Sequence, residues 1–172
     1  MEKLVKRNRK VAFLGVLNGE TVAYQRMQHF TEMGKSSNPN EYSRKYVDED
    51  GEVTDITGYA PSISYAFDQY EGNKVHQELI TITDGEIVGT DAVRTILLVD
   101  FTRAGKTEGS YIAIKRDYAV VPDSDGDDEN TYTYSGNFKS QGSKEEVEVI
   151  SKDEFKATCE IATPEVSEDL GN

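Results

Sequence analysis

The sequence predicts a mainly β protein, a β-sandwich or barrel with one flanking α-helix at about 73–84 and a long loop at about 35–55. Three observations point there. Several segments alternate large apolar with small or polar residues at period two. Turn-forming residues separate those segments at short spacing. One segment carries apolar residues at helical intervals. A chain of 172 residues suits one domain. It reads as a single unit over 1–172, with a basic N-terminal arm at 1–10 and an acidic tail at 163–172 that lies loose in the free monomer.

In chain order, the first strand is expected at 11–17, behind Lys3, Lys6, Arg7, Arg9 and Lys10. Its apolar run is too short for a good signal-peptide core, and Asn18, Gly19 and Glu20 follow it. Residues 22–33 mix two- and three-residue spacings and read as a strand by their neighbours. A further strand is expected at 42–47. Over 59–67, Tyr59, Pro61, Ile63, Tyr65 and Phe67 alternate with Ala60, Ser62, Ser64 and Ala66, as on a half-buried strand.

Asn73 can cap a helix on which Val75, Leu79 and Ile82 share a face, with Asp84-Gly85 as its stop. The rival is a strand over 78–83. Residues 93–101 are apolar enough at their centre to be covered on both faces. Residues 111–121 place Ile112, Ile114, Tyr118 and Val120 on one side. Residues 131–138 repeat the large–small pattern with Tyr132, Tyr134, Gly136 and Phe138, and a last strand is expected at 147–150. Ten Tyr and six Phe with no Trp suit such pleated, half-buried surfaces.

The net charge of −13 argues against a protein that grips phosphates, which needs clustered Lys and Arg. It is compatible with a surface that DNA passes without adhering. Cys159 is the single cysteine, so no disulfide forms within the chain and no Cys₂ or Cys₄ zinc site can be built. Its acidic neighbours Glu154 and Glu160 would raise a thiol pKa. His29 and His76 are the only histidines; a Cys–His or Ser–His pair would need one of them close to its nucleophile, and isolated His and Cys residues in such a chain read as structural. Gly105-Lys106-Thr107 lacks the upstream glycine of a phosphate loop and belongs to a hairpin tip. The sharpest metal candidate is Asp123, Asp125 and Asp127 within the acidic run 123–129. The twelfth position of a calcium loop counted from Asp123 is Tyr134, so the motif is incomplete and an acidic β-turn is the simpler reading.

Several strings, in order, resemble phage and prophage tail tube proteins of Gram-positive hosts. These are residues 30–49 (FTEMGKSSNPNEYSRKYVDE), 54–68 (TDITGYAPSISYAFD), 88–94 (VGTDAVR), 96–101 (ILLVDF), 115–123 (KRDYAVVPD) and 134–142 (YSGNFKSQG). The likeness spans about 6–142 and weakens after Ser143. It implies a structural protein with no catalytic residues and no cofactor. It implies hexameric rings that stack through the long loop and the termini into a hollow tube for DNA ejection, with an acidic lumen wall. The partners implied are further copies of the chain and the tape-measure, tail-tip and tail-terminator proteins. The place implied is the virion tail, after synthesis in the host cytoplasm.

The long polar loop holds the candidate ring-to-ring residues Lys35, Asn38, Asn40, Tyr42, Asp48, Glu49 and Asp50. The alternatives are a secreted or surface β-domain binding calcium through 123–129, a related tail-completion component, and, last, an enzyme.

Overall fold

The computed structural model describes residues 1–126 and 128–162. The strands are β1 (Lys10–Asn18), β2 (Thr21–Arg26), β3 (Phe30–Ser36), β4 (Pro39–Lys45), β5 (Glu52–Tyr59), β6 (Ser62–Asp68), β7 (Val93–Ala104), β8 (Tyr111–Asp125), β9 (Thr133–Ile150) and β10 (Thr158–Ile161), with helix α1 (Lys74–Asp84) between β6 and β7. Eight strands hydrogen-bond in the order β10-β2-β1-β7-β8-β9-β6-β3, while β4 and β5 pair only with each other. The mainly β fold with one helix is therefore as the sequence predicts. The chain packs into two compact units, and β7, β8 and β9 contribute to both.

The first unit comprises Met1–Met27, Ile96–Lys115 and the chain from Lys144 on. Its strand order closes on itself, because β10 pairs with both β2 and β9. Short antiparallel registers make the closure: Thr158↔Gln25 and Cys159↔Tyr24 on one side, Glu160↔Ile150 and Ile161↔Val149 on the other. A closed barrel leaves no edge for unwanted pairing. β1 and β2 form a hairpin ending at Asn18↔Thr21, where Gly19 adopts the positive φ that such a tight turn needs. Phe13, Leu97, Val99, Ala113, Val149, Phe155 and Cys159 fill the interior. The expected N-terminal arm is exposed throughout. Its end is fastened, since Arg7–Arg9 form a 3-10 turn and Lys10 already belongs to β1.

The second unit comprises Gln28–Thr95 and Arg116–Ser143. Here β6 shows the period-two pattern in full: Ile63, Tyr65 and Phe67 are buried, Ser62, Ser64 and Ala66 are not. Burying each large side chain contributes about 1.5–3 kcal/mol. β9 supplies Tyr134 and Phe138 to the same layer, with Phe67 stacked on Tyr134 and Tyr65 on Phe138 at centroid distances of 5.5 and 4.5 Å. The helix reading holds. Asn73 Oδ1 accepts from the amides of Val75 and His76, and Val75, His76, Leu79 and Ile82 form the buried face. Arg94 secures α1 to the start of β7. It pairs with Glu78 at 2.7 Å and donates to the carbonyls of Asp91 and Val93.

Five expectations need correction. The strands expected at 131–138 and 147–150 are one strand, β9, and β10 follows it as the last. The strand expected over 22–33 is two strands, broken where His29 takes φ 63°. The strand expected over 59–67 begins only at Ser62, Tyr59 ending β5 instead. Strand 111–121 does not keep one buried side: Ala113 is buried, then Tyr118 and Val120, a step of odd length that moves burial to the opposite face. Tyr132, placed on the large face of its strand, precedes β9 and is exposed. The acidic tail expected at 163–172 lies outside the described residues.

Candidate assembly surfaces

Residues 35–55, expected as a long loop, include most of a two-stranded antiparallel hairpin. β4 and β5 pair from Pro39↔Tyr59 to Lys45↔Glu52, with a bulge between Asn40 and Glu41. Every β4 residue is exposed, and Gly58 alone in β5 is partly covered. Local contacts order it: Ser43 and Thr54 hydroxyls lie 2.9 Å apart, and Arg44 donates to the Tyr42 hydroxyl at 2.9 Å. Both strands lack a buried face, so burial imposes no alternation on their sequence, which is why β5 was illegible.

An isolated hairpin is marginal in water, and contiguous exposed apolar groups mark contact surfaces. This hairpin exposes Tyr42, Val53, Ile56 and Tyr59, the last at 60%. Register puts Tyr42, Arg44, Val53 and Asp55 on one face and Glu41, Ser43, Thr54 and Ile56 on the other. At the tip, Tyr46 and Val47 are exposed beside Asp48, Glu49 and Asp50. Of these apolar residues the sequence reading named only Tyr42 as a ring-to-ring candidate, and it assigned Tyr59 to the large face of the next strand. The available signal was large apolar residues recurring inside an otherwise charged segment.

The residues named from sequence divide by place. Lys35 belongs to β3, opposite Ile63. Asn38 sits at the hairpin base at φ 45°, where its amide donates to the Ala60 carbonyl (3.1 Å) and the Ser62 hydroxyl (3.0 Å). Its carbonyl accepts from the Ala60 amide, so this residue sets the angle at which the hairpin leaves the sheet. Asn40 flanks the bulge and accepts from the Thr57 hydroxyl. Tyr42, Asp48, Glu49 and Asp50 are exposed on the hairpin.

The acidic run is a turn between strands. Asp123 and Asp125 end β8, and Asp127 lies outside the described residues. Asp125 accepts from the Tyr132 hydroxyl, which pushes that phenol up to about 12. Asp128 accepts the amides of Asn130 and Thr131, and these bonds hold its carboxyl below the usual range. Among the described residues no group of three His, Cys, Asp or Glu side chains converges as a metal site.

His76 is fully buried, its Nδ1 accepting the Tyr70 amide at 3.1 Å and its Nε2 2.9 Å from the Gln28 carbonyl. That pairing fixes the neutral Nε2–H tautomer. Cys159 is buried, and burial first, then Asp153 and Glu160, pushes its thiol up to about 12. Residues 105–110 connect β7 to β8. Glu148 accepts there from the Ser110 hydroxyl and the Thr107 amide, which lowers its pKa.

No protein-family model matches the sequence. No curated protein matches it either. Solved structures do share its fold. A chain in the tail of an empty gene transfer agent particle, a structure with C6 symmetry, superposes with a TM-score of 0.60 at 13% identity, over 83% of this chain and 98% of that one. A chain in the virion of the native gene transfer agent particle gives 0.56 at 11%, with the same coverage. A chain of the six-fold symmetrised baseplate of the anti-feeding prophage gives 0.50 at 6%, over 86% and 97%. At such identities the likeness defines the fold: one found in chains of virion-tail and baseplate particles.

Proposed function

We propose that this protein is a structural subunit of a phage-type tail, and more specifically that it polymerises as stacked hexameric rings into a tail tube for DNA ejection. The observation that carries this reading is the fold shared, over 83% of this chain and 98% of the other, with a chain of a C6-symmetric tail. The exposed β4–β5 hairpin supports it, since a hairpin that buries nothing in its own chain is suited to bury its aromatic residues against a neighbour. The net charge of −13 suits a conduit wall that repels phosphate. On this reading the protein is not an enzyme and needs no cofactor. Its partners are further copies, the tape-measure protein and the tail-tip and terminator proteins, and its place is the virion. The baseplate likeness favours a second reading, a ring-forming tail component outside the tube proper.

Negative-stain electron microscopy of concentrated protein, with and without tail-tip proteins, tests the proposal. Hollow tubes with sixfold end views support it. Single rings that never stack favour the second reading. A monomer that persists with tail-tip proteins present refutes both. Deleting residues 41–56 should leave the thermal transition in place and abolish tubes, and normal tubes from that variant would remove the hairpin from ring stacking.

A further inference from the structure

The first unit carries a cavity of about 480 Å³ whose lining includes Arg9, Arg26, Phe101, Tyr111, Phe155 and Ser151. Its aromatic wall is preorganised. Phe101, Tyr111 and Phe155 meet edge to face with centroids 5.0, 5.3 and 5.5 Å apart. The Arg9 guanidinium lies 5.8 Å from the Phe101 centroid and donates to the Phe101 carbonyl at 2.7 Å. Arg26 donates to the Phe155 carbonyl at 3.2 Å. Each guanidinium has five N–H donors, so these single bonds orient the groups without exhausting them.

The segment from Ser151 to Thr158 is fastened too. Ser151 Oγ accepts the amides of Asp153 and Phe155, Asp153 accepts that of Ala157, and Glu154 and Phe155 hold positive φ. Glu154, also in the lining, is within ion-pair distance of Lys156. Two cations beside three rings, in a protein of net charge −13, select a ligand that is anionic and partly apolar.

The same chain presents such a group. The hairpin tip projects Tyr46 and Val47 together with Asp48, Glu49 and Asp50. Among the described residues these three acids form no ion pair. We propose that the Arg9–Arg26 pocket receives the hairpin tip, residues 46–50, of a second copy of this chain. The inference rests on the tail-subunit reading and names the surface that the hairpin meets. A contact between two different patches is heterologous, so it repeats from copy to copy as a stacked assembly requires.

The test places the photocrosslinker p-benzoylphenylalanine at Val47 in the full chain, mixed with isotope-labelled protein and assembled. Adducts between copies should map to peptides containing Phe101, Tyr111 or Phe155. Arg9→Glu should weaken assembly and crosslinking by at least about tenfold, the low end of the range for close interfacial charge pairs. Adding Asp48→Arg to it should restore most of the loss. Asp48→Lys, Glu49→Lys and Asp50→Lys together, on a hairpin that supports no core, should abolish assembly without changing the melting temperature. Adducts mapping elsewhere in assembled protein, or wild-type assembly by Arg9→Glu, overturn the inference and leave the tail-subunit reading standing. Failure of the unmodified protein to assemble under any condition refutes both.

Discussion

Gly136 interrupts a row of aromatic residues on the large face of β9, and its cross-strand partner explains why. It stands opposite Tyr65, whose ring covers the space a side chain would fill. A Cβ added there would lie 2.6 Å from the Val121 carbonyl oxygen, 2.7 Å from the Tyr65 hydroxyl and 2.9 Å from Tyr65 Cζ. The carbonyl is backbone in β8 and cannot yield cheaply. Tyr65 is 2% exposed and stacked on Phe138, so it cannot swing out without breaking that contact. Overpacking of this kind costs about 1–3 kcal/mol, offset by about 0.4–1 kcal/mol from the stiffer unfolded chain. The net loss expected for Gly136→Ala is about 1–2 kcal/mol, which lowers the melting temperature of a chain this size by roughly 2–8 °C.

Calorimetry or circular dichroism measures that shift. Tyr65→Phe removes one of the three clashing atoms, so the double variant should lose less than the sum of the single variants. Gly136→Ala melting at or above the wild type would refute the packing argument.

Three further outcomes are expected. Burial pulls the pKa of His76 below its ordinary 6.5, His29 adds to this, and the Gln28 carbonyl and Asp68 oppose it. The folded protein then binds fewer protons than the unfolded chain, so this stability is complete above 6.5 and is lost as pH falls through the lower folded value. The urea midpoint should drop between neutral pH and pH ~5 and drop less in His76→Gln; equal drops would remove His76 as the cause. Millimolar calcium should move the melting temperature by less than about 1 °C, because Asp125 and Asp128 already accept internal hydrogen bonds; a clear rise would revive the acidic run as a cation site. Cys159, buried and pushed up to about 12, should react with thiol reagents at mildly alkaline pH only as the protein unfolds, and rapid labelling of the native state would contradict its place in the barrel core.

Much of this protein was determined by its sequence alone, wherever the physics is local. Asn73, Val75, Leu79 and Ile82 lie within ten residues of one another, and capping and helical spacing favour α1 over a rival strand at 78–83 without any knowledge of its neighbours. Ile63, Tyr65 and Phe67 announce a strand with one buried face because pleating imposes period two on any half-buried strand. The single cysteine excluded an internal disulfide, and the net charge argued against a phosphate-gripping surface, before any fold was known.

The tertiary structure decided what depends on residues far apart in sequence. β10 is four residues long and carries no strong pattern; it exists because β2 and β9 offer it backbone partners on both sides. β8 exchanges its buried face between Ala113 and Tyr118 because it contributes to both packed units, and no single period describes such a strand. β5 was invisible because neither side of the hairpin is buried in its own chain. The pocket joins Arg9, Arg26, Phe101 and Phe155 from four separate segments, a grouping made by barrel closure and absent from the linear order.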